Sequence, residues 1–307
     1  SACFKTDGLA IDMKLLNRVL HIDDERRTIK AEGGIMLKDL FEALKPHKLA
    51  IATMPNVNMI TLAGAVSNGT HGTNITQGTF ADLVEEIELV DYRGKLLTLR
   101  RDATDEKQRD YFDAAVVSFG SLGIIYSITM RCIPEYNMII YRETASLKHY
   151  IKNVVDISHN YMGAMTVILP SLGEVMIKTQ TKIKPLGADA VTMKTGHSFS
   201  RFEVLGAMLV HIGLDFLPSS IVRLIKMYPM MKWKWSGITV VPWDQAEQLP
   251  HTKRFINMEY AIREEKISEA IQFVSDLIAR YEKDGNYYRQ MAWCVRPVGA
   301  DSRGFLS

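Results

Sequence analysis

The sequence is poor in cysteine: three in 307 residues, at positions 3, 132 and 294, with no Cys-x-x-Cys pair. Neither a disulfide framework nor a thiolate zinc site is indicated. An excess of one charge is also missing, since 37 Lys+Arg oppose 35 Asp+Glu for a net charge of +2. That balance argues against a nucleic-acid partner, whose phosphates demand a basic surface. No signal peptide is visible. A spanning helix needs about 20 consecutive apolar residues, and the best region, residues 202–235, is uncharged only from Val204 to Leu214. Several phosphate and catalytic motifs are absent as well. Gly64 and Gly69 have Walker A spacing, but Thr70-His71 stands where Lys-Ser/Thr is needed. There is no G-x-G-x-x-G, no H-E-x-x-H and no G-x-S-x-G, which removes the Rossmann, zinc-protease and α/β-hydrolase readings.

What is present is an ordinary globular composition, 47% hydrophobic and 23% charged, at a length that favours two domains or one large one. The chain opens Ser-Ala-Cys and stops at Phe305-Leu306-Ser307, and reads as a fragment or a processed form. Alternation at Leu9, Ile11 and Met13, at Val19, Leu20 and Ile22, and at Ile29 and Ala31 predicts short strands. Gly33-Gly34 follows. Leu37, Leu40, Phe41 and Leu44 then mark one face of a helix that ends before Pro46. Ile87 and Leu89, the turn Asp91–Lys95, and Leu97 and Leu99 predict a hairpin. Ile124, Tyr126, Ile128, Met130 and Cys132 predict a strand with one buried face. Further strands are expected at Met165–Leu169, Val175–Thr179 and Phe255–Ala261, and the clearest helix over Ile267–Tyr281, one apolar face held for four turns. The simplest division falls near Pro134, giving domains 1–134 and 135–307. Two readings of residues 202–235 stay open. Burial of a helix broken at Pro218 is favoured; the alternative is peripheral membrane association through Met230–Trp235.

The segment from Ala50 to Thr79 is poor in charge and rich in Gly, Thr, Asn and Ser. Within it Ala63, Gly64, Ala65, Ser67, Gly69 and Gly72 leave the backbone bare, so main-chain N–H groups can approach a flat or phosphorylated ligand. Composition alone leaves a ligand loop and a tightly packed turn equally open.

Three blocks decide between them. Asp7-Gly8 with Leu16–Leu20, then Thr28–Ile35, then Thr61-Leu62-Ala63-Gly64-Ala65 with Gly69-Thr70-His71-Gly72-Thr73 resemble the FAD-linked aldonolactone oxidases. That family includes L-gulonolactone, D-arabinono-1,4-lactone and alditol oxidases, and has the vanillyl-alcohol-oxidase (PCMH) type of FAD-binding domain. Leu122–Ile125, Asn257–Ile262, and Val295-Arg296 with Ala300-Asp301 and Leu306-Ser307 extend the likeness. The resemblance implies an α+β protein: a partial FAD-binding domain lacking its first subdomain, and an antiparallel-sheet substrate domain, truncated at its C-terminal end, that covers the flavin. It implies FAD as cofactor, with contacts from Asn56, Thr61, Gly64, Asn68, Gly69, Thr70 and His71, and from the backbone of Ile125 at the adenine end. It implies hydride removal from a sugar-derived lactone or polyol with O2 as acceptor, as in ascorbate-type biosynthesis. Arg296 would stand beside flavin and substrate, where its fixed charge suits a developing anion. No metal is implied. The alternatives are a dehydrogenase of the same fold using another electron acceptor, and a catalytically impaired relative. A cytoplasmic and a membrane-associated location both fit.

The family pattern and this chain differ at three places. Cys294 occupies the position of the family's glutamate in Glu-x-Arg, and a thiol is a weak acceptor and a poor base at neutral pH. The loop bearing the family's flavin-linking histidine would precede Ser1; His71 belongs to another motif. The family's C-terminal His-Trp-x-Lys region would follow Ser307. The other histidines show no metal spacing, and the charges from Arg100 to Asp110 read as a solvated face. Met227, Met230 and Met231 read as adaptable packing.

Overall fold

The computed structural model describes residues 11–169, 173–185, 237–245, 259–283 and 293–300. Strands β1 (Val19–Asp23) and β2 (Thr28–Glu32) form a hairpin, and Gly33-Gly34 turns the chain toward α1 (Leu37–Leu44). The four residues expected to share one helix face, Leu37, Leu40, Phe41 and Leu44, are all buried. After β3 (Leu49–Ala50) and α2 (Leu62–Ser67) come the hairpin strands β4 (Val84–Val90) and β5 (Leu96–Arg100). Gly94 takes φ +77 in their turn, a conformation that needs glycine. Helix α3 (Glu106–Val116), β6 (Ile124–Arg131) and β7 (Ile133–Pro134) follow, and β7 pairs with β3. The first sheet runs β1-β2-β6-β4-β5 and is antiparallel throughout. Its buried residues share one core with Phe41, Leu62, Val66 and Phe112 from the three helices.

The second sheet uses β8 (Asn137–Ser146), β9 (Gly163–Leu169), β10 (Glu174–Ile183), β11 (Gly237–Pro242) and β12 (Trp293–Val295), in the antiparallel order β11-β8-β10-β9-β12. One face packs on α4 (Leu147–Asn160) and α5 (Ile267–Lys283) through Tyr150, Val154, Ile168, Val175, Ile177 and Ile271. From the other face Met138 and Ile140, with Trp243 just beyond β11, enter the core of the first sheet. Trp243 meets Phe41 edge-on at 5.2 Å. The second sheet therefore lies between its own helices and the first half of the chain, and the line where they meet is where a ligand could sit.

Several expectations are corrected. Met13 begins a single 3-10 turn, Met13–Leu15, instead of a strand, because Asp12 caps Lys14 N at 3.1 Å; Leu9 lies outside the described residues. In β6 the burial is not the clean alternation expected. The β4–β6 register shifts between Glu88 and Leu89, so Ile125 is buried while Ile124 is exposed. Arg101 is not part of a solvated face. Its guanidinium donates to Val84 O and Ala81 O at 2.6 and 2.8 Å and lies over the Phe112 ring. The strand expected at Phe255–Ala261 falls largely outside the described residues, and Glu259–Ala261 is not a strand. Residues 202–235, with the Met cluster, also lie outside them, as do Asp7-Gly8, Asn257-Met258, Asp301 and Leu306-Ser307. Among the described residues no helix is long and apolar enough to cross a membrane.

Candidate functional site

The uncharged segment forms one wall of the meeting line. Leu62 N donates to Ile35 O at 2.8 Å and Ala63 N to Gly33 O at 2.9 Å, so the segment is laced to the turn after β2. Gly33 is required there: a Cβ would come within 2.5 Å of Ile125 O and 3.1 Å of the Ala63 Cβ. Thr61 caps α2, its hydroxyl accepting from Gly64 N at 3.2 Å. What the sequence presents as a glycine-rich loop is thus a short helix, stabilised by a cap and by buried Leu62, Ala65 and Val66. Asn68 ends it, exposed, and Gly69 turns the chain at φ +61. Thr70 N returns to Ala65 O at 2.9 Å, and Thr70 O accepts from Phe80 N at 2.7 Å.

Beyond this turn His71 bridges the two halves. Its Nδ1 donates to Gly72 O at 2.9 Å, and its Nε2 lies 3.3 Å from Glu259 Oε1. The same carboxylate oxygen accepts from the Arg296 guanidinium. Glu259 is held far below its ordinary range, at about 2. The His71 hydrogen bond is the largest cause and the Arg296 charge adds to it, against the opposing effect of partial burial. Neighbouring contacts close the seam: Ala164 N donates to Thr73 O at 3.0 Å, and Gly299 N donates to Gln77 O at 2.9 Å. Asn56 reaches the second sheet, its amide 3.7 Å from Met165 Sδ.

Strand alternation fixes which way the last strand points. Trp293 and Val295 pack on the helical cluster. Cys294 and Arg296 therefore face the other side, toward the seam. Cys294 is exposed but crowded by surrounding chain, and desolvation pushes its thiol above its ordinary range; Arg296 opposes that shift and Glu259 adds to it. A thiol so placed stays protonated at neutral pH and supplies no base.

The structure thus brings Asn56, His71 and Arg296 to one seam, with Thr61, Gly64, Asn68, Gly69 and Thr70 leading into it along α2. Ile125 stands at the opposite end of the segment, buried, its carbonyl against Gly33. Glu259 is the residue that sequence reasoning passed over. It lay inside the Asn257–Ile262 block, but nothing local marks a lone carboxylate as the partner of residues 188 and 37 positions away. Among the described residues no group of His, Cys, Asp or Glu could hold a metal ion.

Comparison with known proteins gives this geometry a context. Residues 1–100 match the FAD binding domain family. L-gulonolactone oxidase of Mus musculus is 34% identical over 149 residues, 48% of this chain and 33% of that protein. L-gulono-1,4-lactone dehydrogenase of Mycobacterium tuberculosis is 27% identical over 280 residues, 90% of this chain and 62% of that protein. The chain therefore spans between a third and three fifths of the length of these relatives. Among solved structures, cholesterol oxidase from B. sterolicum superimposes with a TM-score of 0.58 at 15% identity, covering 84% of this chain and 54% of that one. That likeness shows the fold.

The residues present fit FAD. Between Lys48 and Asp82 there is no Asp or Glu to repel a pyrophosphate. The backbone is bare at Gly69, where the nearest atom to an added Cβ is 3.5 Å away, and at Gly120, where nothing lies within 4 Å. Gly120 belongs to the turn that docks on the end of α2 through Phe119 N and Ser67 O, 3.1 Å apart. Donors stand along the segment at Asn68 and Thr70, and a cation arrives from the second sheet at Arg296. Residues 1–100 match an FAD binding domain, the fold is the α+β vanillyl-alcohol-oxidase type with FAD as its cofactor, and the chain resembles the FAD-linked aldonolactone oxidases.

Proposed function

We propose that this chain is the body of an FAD-dependent oxidoreductase that oxidises a sugar-derived aldono-1,4-lactone of the D-arabinono- or L-gulono-lactone kind. In this reading residues 1–134 are the FAD-binding domain and 135–307 the substrate domain. The observation that carries it is the bridge of His71, Glu259 and Arg296, which sets a cation from the second sheet against the side-chain-poor segment of the first half.

FAD, when bound, would supply the hydride acceptor at this seam, with O2 as the final electron acceptor. The chain does the rest. Asn56, Thr61, Gly64, Asn68, Gly69, Thr70 and His71 would hold the cofactor, and the backbone of Ile125 would contact its adenine end. Arg296 gives a donor to Glu259 and turns its remaining donors to the oxygens of the sugar, where negative charge gathers as the hydroxyl proton leaves to solvent while the carbinol carbon gives up hydride. Met138, Ile140 and Trp243 bury the second sheet against the core of the first half. A small lactone suits this arrangement because polar groups orient it while bulk chain covers it.

A second reading has its own support: the relative matched over 90% of this chain is named a dehydrogenase, which favours an acceptor other than O2. Cys294 supports a third, a relative with reduced turnover. Visible spectroscopy separates them. The oxidase shows flavin bands that an aldonolactone bleaches without air, and forms peroxide when air returns. A dehydrogenase bleaches but yields peroxide only slowly; a folded protein whose flavin ignores every lactone and polyol overturns both. Peripheral membrane association is a lesser part of the proposal, and full recovery without detergent counts against it.

A further inference from the structure

Glu259 reaches across the seam from the segment before α5 and touches two groups of opposite origin. On one side is His71, whose Nδ1 donates to the carbonyl of the next residue, Gly72, at 2.9 Å; on the other is Arg296, just past the end of β12. The Arg296 side chain is only 16% exposed, while Glu259 is about half exposed. Among the described residues Arg296 is therefore a nearly buried cation whose direction is set by one carboxylate, and that carboxylate is itself anchored to the His71 turn. Cys294, its neighbour on the same face of β12, carries no charge to share the task, since desolvation keeps the thiol protonated.

We propose that Glu259 is the positioning residue of the site: it aims the Arg296 guanidinium at the substrate and ties that aim to the His71 turn. This rests on the reading of Arg296 as the group that faces the substrate. Glu259 does not act as the proton acceptor. A carboxylate held at about 2 by His71 and Arg296 is too weak a base at neutral pH. Its part is to keep a long, flexible side chain in one orientation before substrate arrives, so that its remaining donors need no reorganisation during the reaction.

The test compares Glu259→Ala and Glu259→Gln in the full chain, with folding checked by circular dichroism. The first readout needs no turnover. Phenylglyoxal is added with and without FAD, and the adduct on the Arg296 peptide is followed by mass spectrometry. Arg296 is expected to react several-fold faster in Glu259→Ala than in the parent. Glu259→Gln, which keeps the accepting oxygen and loses the charge, should fall between. Equal rates in all three proteins overturn the proposal. The second readout is kinetic: turnover with the lactone drops about 10- to 100-fold, as for a misaimed group, while FAD affinity changes little. A parallel loss of FAD affinity would make Glu259 a mere clamp between the halves and would also overturn it. If the parent oxidises no lactone, the proposed function fails, yet the phenylglyoxal rates still decide the role of Glu259.

Discussion

Replacing Gly72 by alanine tests how closely the proposed cofactor-binding segment is fitted to its surroundings. A Cβ at Gly72 would meet Met54 O at 2.7 Å, Thr53 Oγ1 at 2.8 Å and Met54 N at 3.1 Å. Two of the three are backbone atoms that no rotamer change can move, so the His71–Gly72 segment must shift by several tenths of an ångström. Overpacking of this kind costs about 1–3 kcal/mol. Gly94→Ala is the control. There an added Cβ meets nothing within 4 Å, but the residue holds φ +77 in the β4–β5 turn. Its penalty is backbone strain of about 1–2 kcal/mol. The two variants should lower the thermal midpoint by comparable amounts. They should differ in FAD binding, measured by quenching of flavin fluorescence. Gly72→Ala moves the carbonyl that holds His71 Nδ1 and should weaken FAD about tenfold or more, since 1.4 kcal/mol of lost fit is a factor of ten. Gly94→Ala should bind as the parent does. Equal FAD affinity in both variants would refute the assignment of this segment to the cofactor.

Other consequences follow from single contacts. Phe41→Ala empties a buried site against Trp243 and should cost about 3–5 kcal/mol in urea unfolding; a loss under 1 kcal/mol would mean that this core is not continuous between the two sheets. Glu259 is lowered from 4.5 to about 2 in the folded chain, so its stabilisation is complete above pH 4.5 and fades as the pH falls toward 2. Half exposed beside His71, Arg296 and Cys294, it should contribute about 1 kcal/mol after solvent screening. Glu259→Gln should therefore be less stable than the parent at pH 6 and nearly equal near pH 2.5. A difference that persists at low pH would contradict the ion-pair account. Iodoacetamide should label the exposed Cys294 and spare the buried Cys132, whose thiol burial pushes up to about 12. Labelling of Cys132 in folded protein would show that the core under β6 opens.

The parts of the fold that could be read in the sequence are those where one local rule acts alone. Leu37, Leu40, Phe41 and Leu44 give their helix because four apolar residues at that spacing have no other way to share a face. Ile267–Tyr281 does so over a longer span, and Asp91–Lys95 between alternating strands leaves little but a hairpin. The rule fails where tertiary contacts compete with it. Gly64 disfavours a helix, yet the Thr61 cap and buried Leu62 and Val66 impose one. The bulge between Glu88 and Leu89 moves burial from Ile124 to Ile125, and no pattern within β6 shows it. Arg101 sits in a charged run, and only the Val84 and Ala81 carbonyls brought to it by the sheet make it an anchor. Helix α4 had a usable signal, with Ser146 capping His149 N at 3.2 Å and Tyr150 and Val154 on one face, but its many polar residues diluted it.

For the site, family likeness pointed to the segment around His71 and to Arg296. Chemistry alone did not, since an arginine after a short strand is more often a surface residue. The partner that joins them was invisible for a physical reason. Glu259 gains its role only when the segment before α5 meets both the turn after α2 and the end of β12.

A crystal structure of the protein with FAD bound tests the central claim most directly. The isoalloxazine ring should lie against the backbone from Gly64 to Gly72, with the Arg296 guanidinium facing it from the second sheet and still held by Glu259. A flavin bound elsewhere, or an Arg296 turned out to solvent, would contradict the account.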